Sequence, residues 1–202
     1  MRTSQRIRKI LEVTSLDDWT RTFCESILRQ VMKGSSLSER QLQILATKEQ
    51  RYDPRNLKAE NEWAFSWDEE KEEIFTVCAM YYKKTGYFSS IIERSMGSEG
   101  DIIKIPSKRS YKKMCENKYA AKVRAAWFGE PVYPTGTVVT LRPSATPWTQ
   151  TTGLPYFVLE TNSDYPESAC KGAKLYKLLA AGQIVPITVE ERHIKKLRRK
   201  KQ

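Results

Sequence analysis

The chain has 202 residues, 40% of them apolar and 29% charged, with 35 Lys and Arg against 24 Asp and Glu for a formal net charge of +11. That length suits one large or two small domains, and the composition is globular, which excludes a disordered or fibrous chain. The longest apolar runs fall well short of the roughly 20 residues that cross a bilayer, and the basic start "MRTSQRIRKI" leads into "LEVTSLDDWT" without a signal-peptide core, so the expectation is a cytoplasmic protein with no membrane partner.

The first half reads helical. In "SLDDWTRTFCESILRQVMKG" Ser15 is a plausible N-cap with Asp17 and Asp18 in the first turn. Trp19, Phe23, Ile27 and Val31 recur every four residues, joined by Cys24 and Leu28, and Gly34 is a C-cap. In "SSLSERQLQILATKEQRYDP" Ser38 and Gln41 form a capping box, Leu42 and Leu45 give an apolar stripe, and Pro54 marks the far limit. The two helices make an αα-hairpin over residues 15–53. The joint, "KGSSLSERQ", resembles a hairpin of uncharacterised phage and plasmid proteins, several of which travel with replication functions. There a helix ends in a Gly turn followed by "LS" or "LT", a charged residue and "KQ"; Arg40 stands here in place of the lysine. The resemblance covers the hairpin alone, and it implies a phage origin and assigns no activity.

Residues 55–67, "RNLKAENEWAFSW", read as a connecting segment. A helix follows over 67–85, opened by a second capping box (Ser66 and Glu69) and the acids of "DEEKEE". Ile74, Val77, Cys78 and Tyr81 share one face, Lys83 and Lys84 complement the carbonyl end, and Gly86 stops it. The stretch "YYKKTGYFSS" sets rings beside cations. Tyr81 is at core spacing, while Tyr82 and Tyr87 are the candidates for stacking on bases. A short helix over 87–96 buries Phe88, Ile91 and Ile92.

A helix over 107–128, "SKRSYKKMCENKYAAKVRAAWF", opens on Ser107 after Pro106 and closes at Gly129. Tyr111, Met114 and Cys115 form its inward stripe, extended by Tyr119 or Lys118 according to phase. From Lys104 to Arg124 eight cations (Lys104, Lys108, Arg109, Lys112, Lys113, Lys118, Lys122, Arg124) face Glu116 alone. From Arg192 onward seven more (Arg192, Lys195, Lys196, Arg198, Arg199, Lys200, Lys201) face no acid. Helices that are merely solvated usually mix signs, so segregated cations are the footprint of a polyanion binder. The expected phosphate contacts are Lys108, Arg109, Lys112, Lys113, Lys118, Lys122, Arg124, Lys195, Lys196, Arg198 and Arg199.

From Glu130 proline, threonine and β-branched residues rise. "YPTGTVVTLRP" and "LPYFVLETN" read as strands, "SDYPESACKG" as a loop, and residues 198–202 as a basic tail. The expected core is Val138, Leu141, Phe157, Leu159, Leu175 and Leu178. "PTGTVVTL", "KGAKLYKLL" and "ITVEERHIKKL" resemble an SH3-like barrel over 133–197, in which a last strand or 3₁₀ turn returns beside the first strand. SH3-like barrels bind RNA, DNA or proteins, so this resemblance leaves the ligand open.

The expected fold is thus α+β: a helical region over 1–129 followed by a small SH3-like antiparallel β-barrel over 130–197. The chain carries no P-loop or dinucleotide glycine fingerprint, and its single histidine, His193, lies in the cationic stretch "EERHIKKL". Cys24, Cys78, Cys115 and Cys170 have no metal-ligand spacing. No catalytic residue, metal or cofactor is therefore expected. The acidic pairs of "DEEKEEI" leave a metal-dependent nuclease open, which added magnesium would reveal. The function expected is a non-enzymatic phage-type nucleic-acid-binding protein, in the host cytoplasm if phage-encoded. Its alternative is an assembly factor docking on a polymerase, ribosome or virion component. Eight acids between Asp53 and Glu73 (Asp53, Glu60, Glu62, Asp68, Glu69, Glu70, Glu72, Glu73) against Arg55, Lys58 and Lys71 lean toward that alternative.

Overall fold

The structure is a computed structural model and describes residues 2–143, 145 and 154–197. The chain forms two compact units, Met1–Ser66 and Trp67–Gln202. Among the described residues it is an α+β protein with eight α-helices and one five-stranded antiparallel sheet. None of the helices is long and apolar enough to cross a membrane.

The first unit holds α1 (Thr3–Leu11), α2 (Asp18–Met32), α3 (Glu39–Arg51) and α4 (Pro54–Phe65). Ile7, Ile10, Leu16, Cys24, Ile27, Leu45 and Tyr52 form its core. The capping box that opens α3 is present, Gln41 N donating to Ser38 Oγ and Ser38 N to Gln41 Oε1. Three expectations are corrected. The cap of α2 is Asp17, not Ser15, and accepts from Thr20 N at 2.8 Å. Of the stripe expected on α2, Cys24 and Ile27 are buried and Phe23, Leu28 and Val31 pack half-buried against the core, but Thr20 rather than Trp19 turns inward at its start. Trp19 therefore stays 57% exposed, stacked on Phe23 with Lys48 Nζ 4.7 Å from its ring centroid. Residues 54–65 are helical rather than a connector. Asp53 caps them and Pro54 is the first helical residue, but the helix fully buries no side chain, so no apolar period announced it.

The second unit opens with α5 (Glu69–Thr85), capped by Asp68 rather than by Ser66 and ended by Gly86, whose φ of 77° suits a left-handed C-cap. Then come α6 (Ser89–Ser95), α7 (Lys108–Cys115) and α8 (Lys118–Phe128). α7 and α8 pack on α5 through Tyr111, Met114, Cys115, Ala120 and Val123, all buried. The strands are β1 (Val138–Leu141), β2 (Tyr156–Thr161), β3 (Leu175–Ala180), β4 (Ile187–Glu190) and β5 (Ile194–Lys196), in the order β4-β3-β2-β1-β5. A 3₁₀ turn at Glu191–His193 brings β5 back antiparallel to β1.

The sheet core is Val139, Leu141, Tyr156, Val158, Tyr176, Leu178, Ala180 and Ile194. The expected phase of β2 is reversed. Phe157 and Leu159 are 44% and 43% exposed, while Val158 is 1% exposed. Both faces of "YFVL" are apolar, so alternation alone cannot choose between them. Pairing chooses: Val158 lies opposite buried Leu178, and Phe157 opposite half-buried Leu179. Leu141, Leu175 and Leu178 are buried as expected, and Val138 is half-buried.

Candidate nucleic-acid interface

The basic stretch is two helices, not one. α7 starts at Ser107, whose Oγ accepts from Ser110 N, and stops at Cys115. Asn117 then caps α8, its Oδ1 accepting from Tyr119 N at 2.9 Å and Ala120 N at 3.0 Å. Its Nδ2 donates back to the carbonyls of Lys113 and Met114 at 3.0 and 2.9 Å, which closes the end of α7. The same Oδ1 accepts from the Tyr82 hydroxyl at 3.0 Å. One amide thus joins α7 to α8 and ties the joint to α5. Asn is weak inside a helix and strong at an N-cap, which is why the chain breaks there.

Tyr82 is therefore not a surface ring. It is 4% exposed, edge-on to Tyr81 and Phe88, and its hydroxyl is spent on Asn117. Tyr87, beyond the Gly86 break, is 67% exposed. Tyr119 is 50% exposed and lies beside the Lys118 ammonium, 5.1 Å from the ring centroid. Burial pushes the Tyr81 hydroxyl's pKa up, and Tyr87 follows directly on the Gly86 break that ends α5. Tyr119 was missed because a single uninterrupted helix left its phase undecided. Neither Lys118 nor Tyr119 extends the inward stripe; Ala120 and Val123 do.

Lys108, Arg109, Lys112 and Lys113 project into solvent from α7, and Lys118 and Lys122 from α8. Among the described residues none of these six is ion-paired, whereas Lys84 on α5 reaches Glu167 at 2.9 Å and Asp164 at 3.6 Å. Lys113 Nζ stands 5.8 Å from the Phe88 ring centroid. Arg124 departs from the expected set. It lies one turn after buried Ala120, is half-buried, and its Nε is shielded from solvent without a hydrogen-bond acceptor among the described residues. Lys195 and Lys196 are exposed on β5, an edge strand, where lysines also deter pairing with another sheet. Arg198 and Arg199 lie outside the described residues.

Lys122 also lines a cleft of about 380 Å³ with Cys170, Lys171, Lys174, Glu130 and Glu191. The cleft is built round Lys174, which is 4% exposed. Its ammonium donates to the Trp127 carbonyl at 2.8 Å and to Asn162 Oδ1 at 2.7 Å, so it caps the C-terminal end of α8 and fastens that helix to β3. Burial lowers its pKa, opposed by the charges of Glu191 and Glu130. Glu191 is held in turn by the Tyr176 hydroxyl at 2.6 Å and Val132 N at 3.0 Å. This network orders the junction between helix and sheet. Among the described residues no group of three or more His, Cys, Asp or Glu is placed to hold a metal ion.

The two joined helices thus carry six exposed cations without ion pairs among the described residues, and Tyr119 beside Lys118. No protein-family model, curated protein or solved structure matches this chain.

Proposed function

We propose that the protein binds nucleic acid through α7 and α8, without catalysing a reaction, and that affinity comes from the phosphate backbone. The observation that carries this reading is the set of six exposed cations, free of ion pairs among the described residues, with Tyr119 beside Lys118. Unpaired lysines on rigid helices neutralise phosphates without first breaking internal salt bridges. Each phosphate contact releases condensed counterions and steepens the salt dependence. Base stacking on the exposed rings of Tyr119 and Tyr87 adds about 1–3 kcal/mol per base and favours a strand with unpaired bases there. Lys195 and Lys196 extend the cationic surface onto the sheet.

We read the sheet as an SH3-like barrel. The order β4-β3-β2-β1-β5 and the 3₁₀ turn before β5 support that reading. A phage origin and a cytoplasmic site of action accompany the proposal on the hairpin resemblance and the composition. The direct test is titration of fluorescently labelled single- and double-stranded DNA and RNA at several salt concentrations. Binding whose affinity falls steeply with salt on every sequence supports the reading; no binding at low salt removes it.

A protein-docking role is favoured by a different observation. The first unit exposes three separate large apolar side chains, Trp19 at 57%, Met32 at 63% and Phe65 at 95%, each a position at which a protein partner could anchor. An assembly factor on a phage or host machine is the reading to adopt if nucleic acid fails to bind.

A further inference from the structure

Lys174 immediately precedes β3 and is 4% exposed. An ammonium has three N–H donors and no acceptor. Two are spent on neutral oxygens, the Trp127 carbonyl at 2.8 Å and Asn162 Oδ1 at 2.7 Å. The third has no acceptor among the described residues, and none of the described carboxylates forms an ion pair with Lys174. A buried charge without an opposite charge beside it is costly. Burial lowers the Lys174 pKa by more than Glu191 and Glu130 raise it, so those two carboxylates do not offset the cost. The amide of a glutamine also donates twice and would tie α8 to β3 without it.

Lys174 lines the cleft of about 380 Å³, whose walls all belong to the second unit. That is the size of a small-molecule site. Two more cations line it, Lys122 from α8 and Lys171 from the segment before β3, both exposed and neither ion-paired among the described residues. Small residues such as Ala125, Ala126 and Gly172 leave the space open. Gly172 sits at φ 74°, and a Cβ there would meet Arg192 at 3.0 Å, so this wall has no room for a side chain. The remaining charges of the lining are Glu130 and Glu191. Glu191 is held in place: its Oε2 accepts from the Tyr176 hydroxyl at 2.6 Å and from Val132 N at 3.0 Å, while its Oε1 has no donor among the described residues. One cleft thus gathers three ammonium groups and two carboxylates.

We propose that this cleft binds a sugar phosphate, the 5′-phosphorylated ribose of a free nucleotide or of an RNA 5′ end, with Lys122, Lys171 and Lys174 on the phosphate and Glu130 and Glu191 on the ribose hydroxyls. Phosphate gives buried Lys174 both an opposite charge and a third acceptor, and lysine binds phosphate as a point charge. A carboxylate accepting from a ribose hydroxyl is the contact that dinucleotide-binding folds use. The carboxylates repel a bare anion, so the ligand needs its hydroxyl end as well as its phosphate. Lys122 is shared with the helical surface, but the site stands whether or not α7 and α8 bind a strand.

The test is isothermal titration calorimetry of the full chain with AMP, ribose 5-phosphate, adenosine and inorganic phosphate. AMP and ribose 5-phosphate should bind, and adenosine and inorganic phosphate should bind at least about tenfold more weakly, each lacking one end of the contact. Lys171→Gln, at an exposed position, should weaken ribose 5-phosphate about tenfold, the loss of one charge-assisted hydrogen bond. Ala125→Phe, which puts a ring in the cleft, should abolish binding; thermal melts show that each variant is folded. A 5′-phosphorylated RNA that displaces ribose 5-phosphate better than its 5′-hydroxyl form identifies the strand end as the source, and equal displacement identifies the free nucleotide. No binding of AMP or ribose 5-phosphate, equal binding of adenosine or inorganic phosphate, or unchanged binding in either folded variant overturns the proposal. Each of those results leaves the salt dependence of strand binding, and with it the reading of α7 and α8, untouched.

Discussion

Replacing Asn117 by Ala probes the joint that positions the basic helices. The change removes the N-cap of α8, a loss of about 0.5–2 kcal/mol. It also leaves the Tyr82 hydroxyl, buried beside Tyr81 and Phe88, without the acceptor it has in the native protein, which costs about 1–3 kcal/mol. The expected loss is therefore about 1.5–5 kcal/mol, read from urea denaturation of the full chain by the near-ultraviolet signal. A double-mutant cycle separates the parts. Tyr82→Phe alone should cost about 0.5–1.5 kcal/mol, because Asn117 Oδ1 keeps two backbone donors. With Tyr82 already Phe, Asn117→Ala should cost only its capping share, giving a coupling of about 1–3 kcal/mol. Asn117→Asp keeps the acceptor roles but loses the two Nδ2 donations to the Lys113 and Met114 carbonyls, and should recover only the part of the loss that the Oδ1 contacts supply. If Asn117→Ala costs under about 0.5 kcal/mol, or the cycle shows no coupling, the amide is not the joint described.

The strand phase of β2 predicts that Leu178→Ala costs about 2–5 kcal/mol, whereas Leu159→Ala, at a half-exposed position, costs about 1 kcal/mol or less; equal costs in thermal or urea melts would restore the opposite phase. Gly86→Ala forces an L-residue into the left-handed region and should lose about 1–2 kcal/mol although the added methyl meets open space, again read by urea melts. The Asp17 carboxyl is held well below the usual carboxylate range, first by the Tyr52 hydroxyl and then by the Thr20 hydroxyl and amide. Its folded pKa is depressed, so the stability it contributes is present above the unfolded value of about 3.9 and is lost as pH falls toward the lower folded value. Melts of the wild type from pH 6 downward should show this acid-side loss, and Asp17→Asn should flatten it; an unchanged profile in the variant refutes the linkage.

What could be read from the sequence depended on whether a local signal was unique. Ser38 with Gln41, Ser107, Gly86 and Gly129 marked helix ends because caps need those side chains at those places. The break at Asn117 was hidden because residues 108–128 carry cations and apolar residues on both sides of it, and the cap's donors and acceptors come from three helices. α4 was hidden because it fully buries no residue. The phase of β2 was hidden because Phe157 and Val158 are both apolar, and only the register with β3 separates them. Charge told where the cations cluster; it could not tell that Arg124 turns partly inward or that Tyr82 is spent on Asn117.

The central claim is that α7 and α8 contact phosphate, and the salt dependence of affinity tests it most directly. Lys112, Lys113 and Lys118 are exposed on both sides of the Asn117 joint, and glutamine preserves helix-forming tendency at all three. If each contacts a phosphate, changing them together should flatten the slope of log affinity against log salt on duplex DNA by about 2–3 units. Binding should weaken nearly equally on unrelated sequences, since phosphate contacts position and do not specify. A folded triple variant with the wild-type slope would contradict the account and remove these helices as the contact surface.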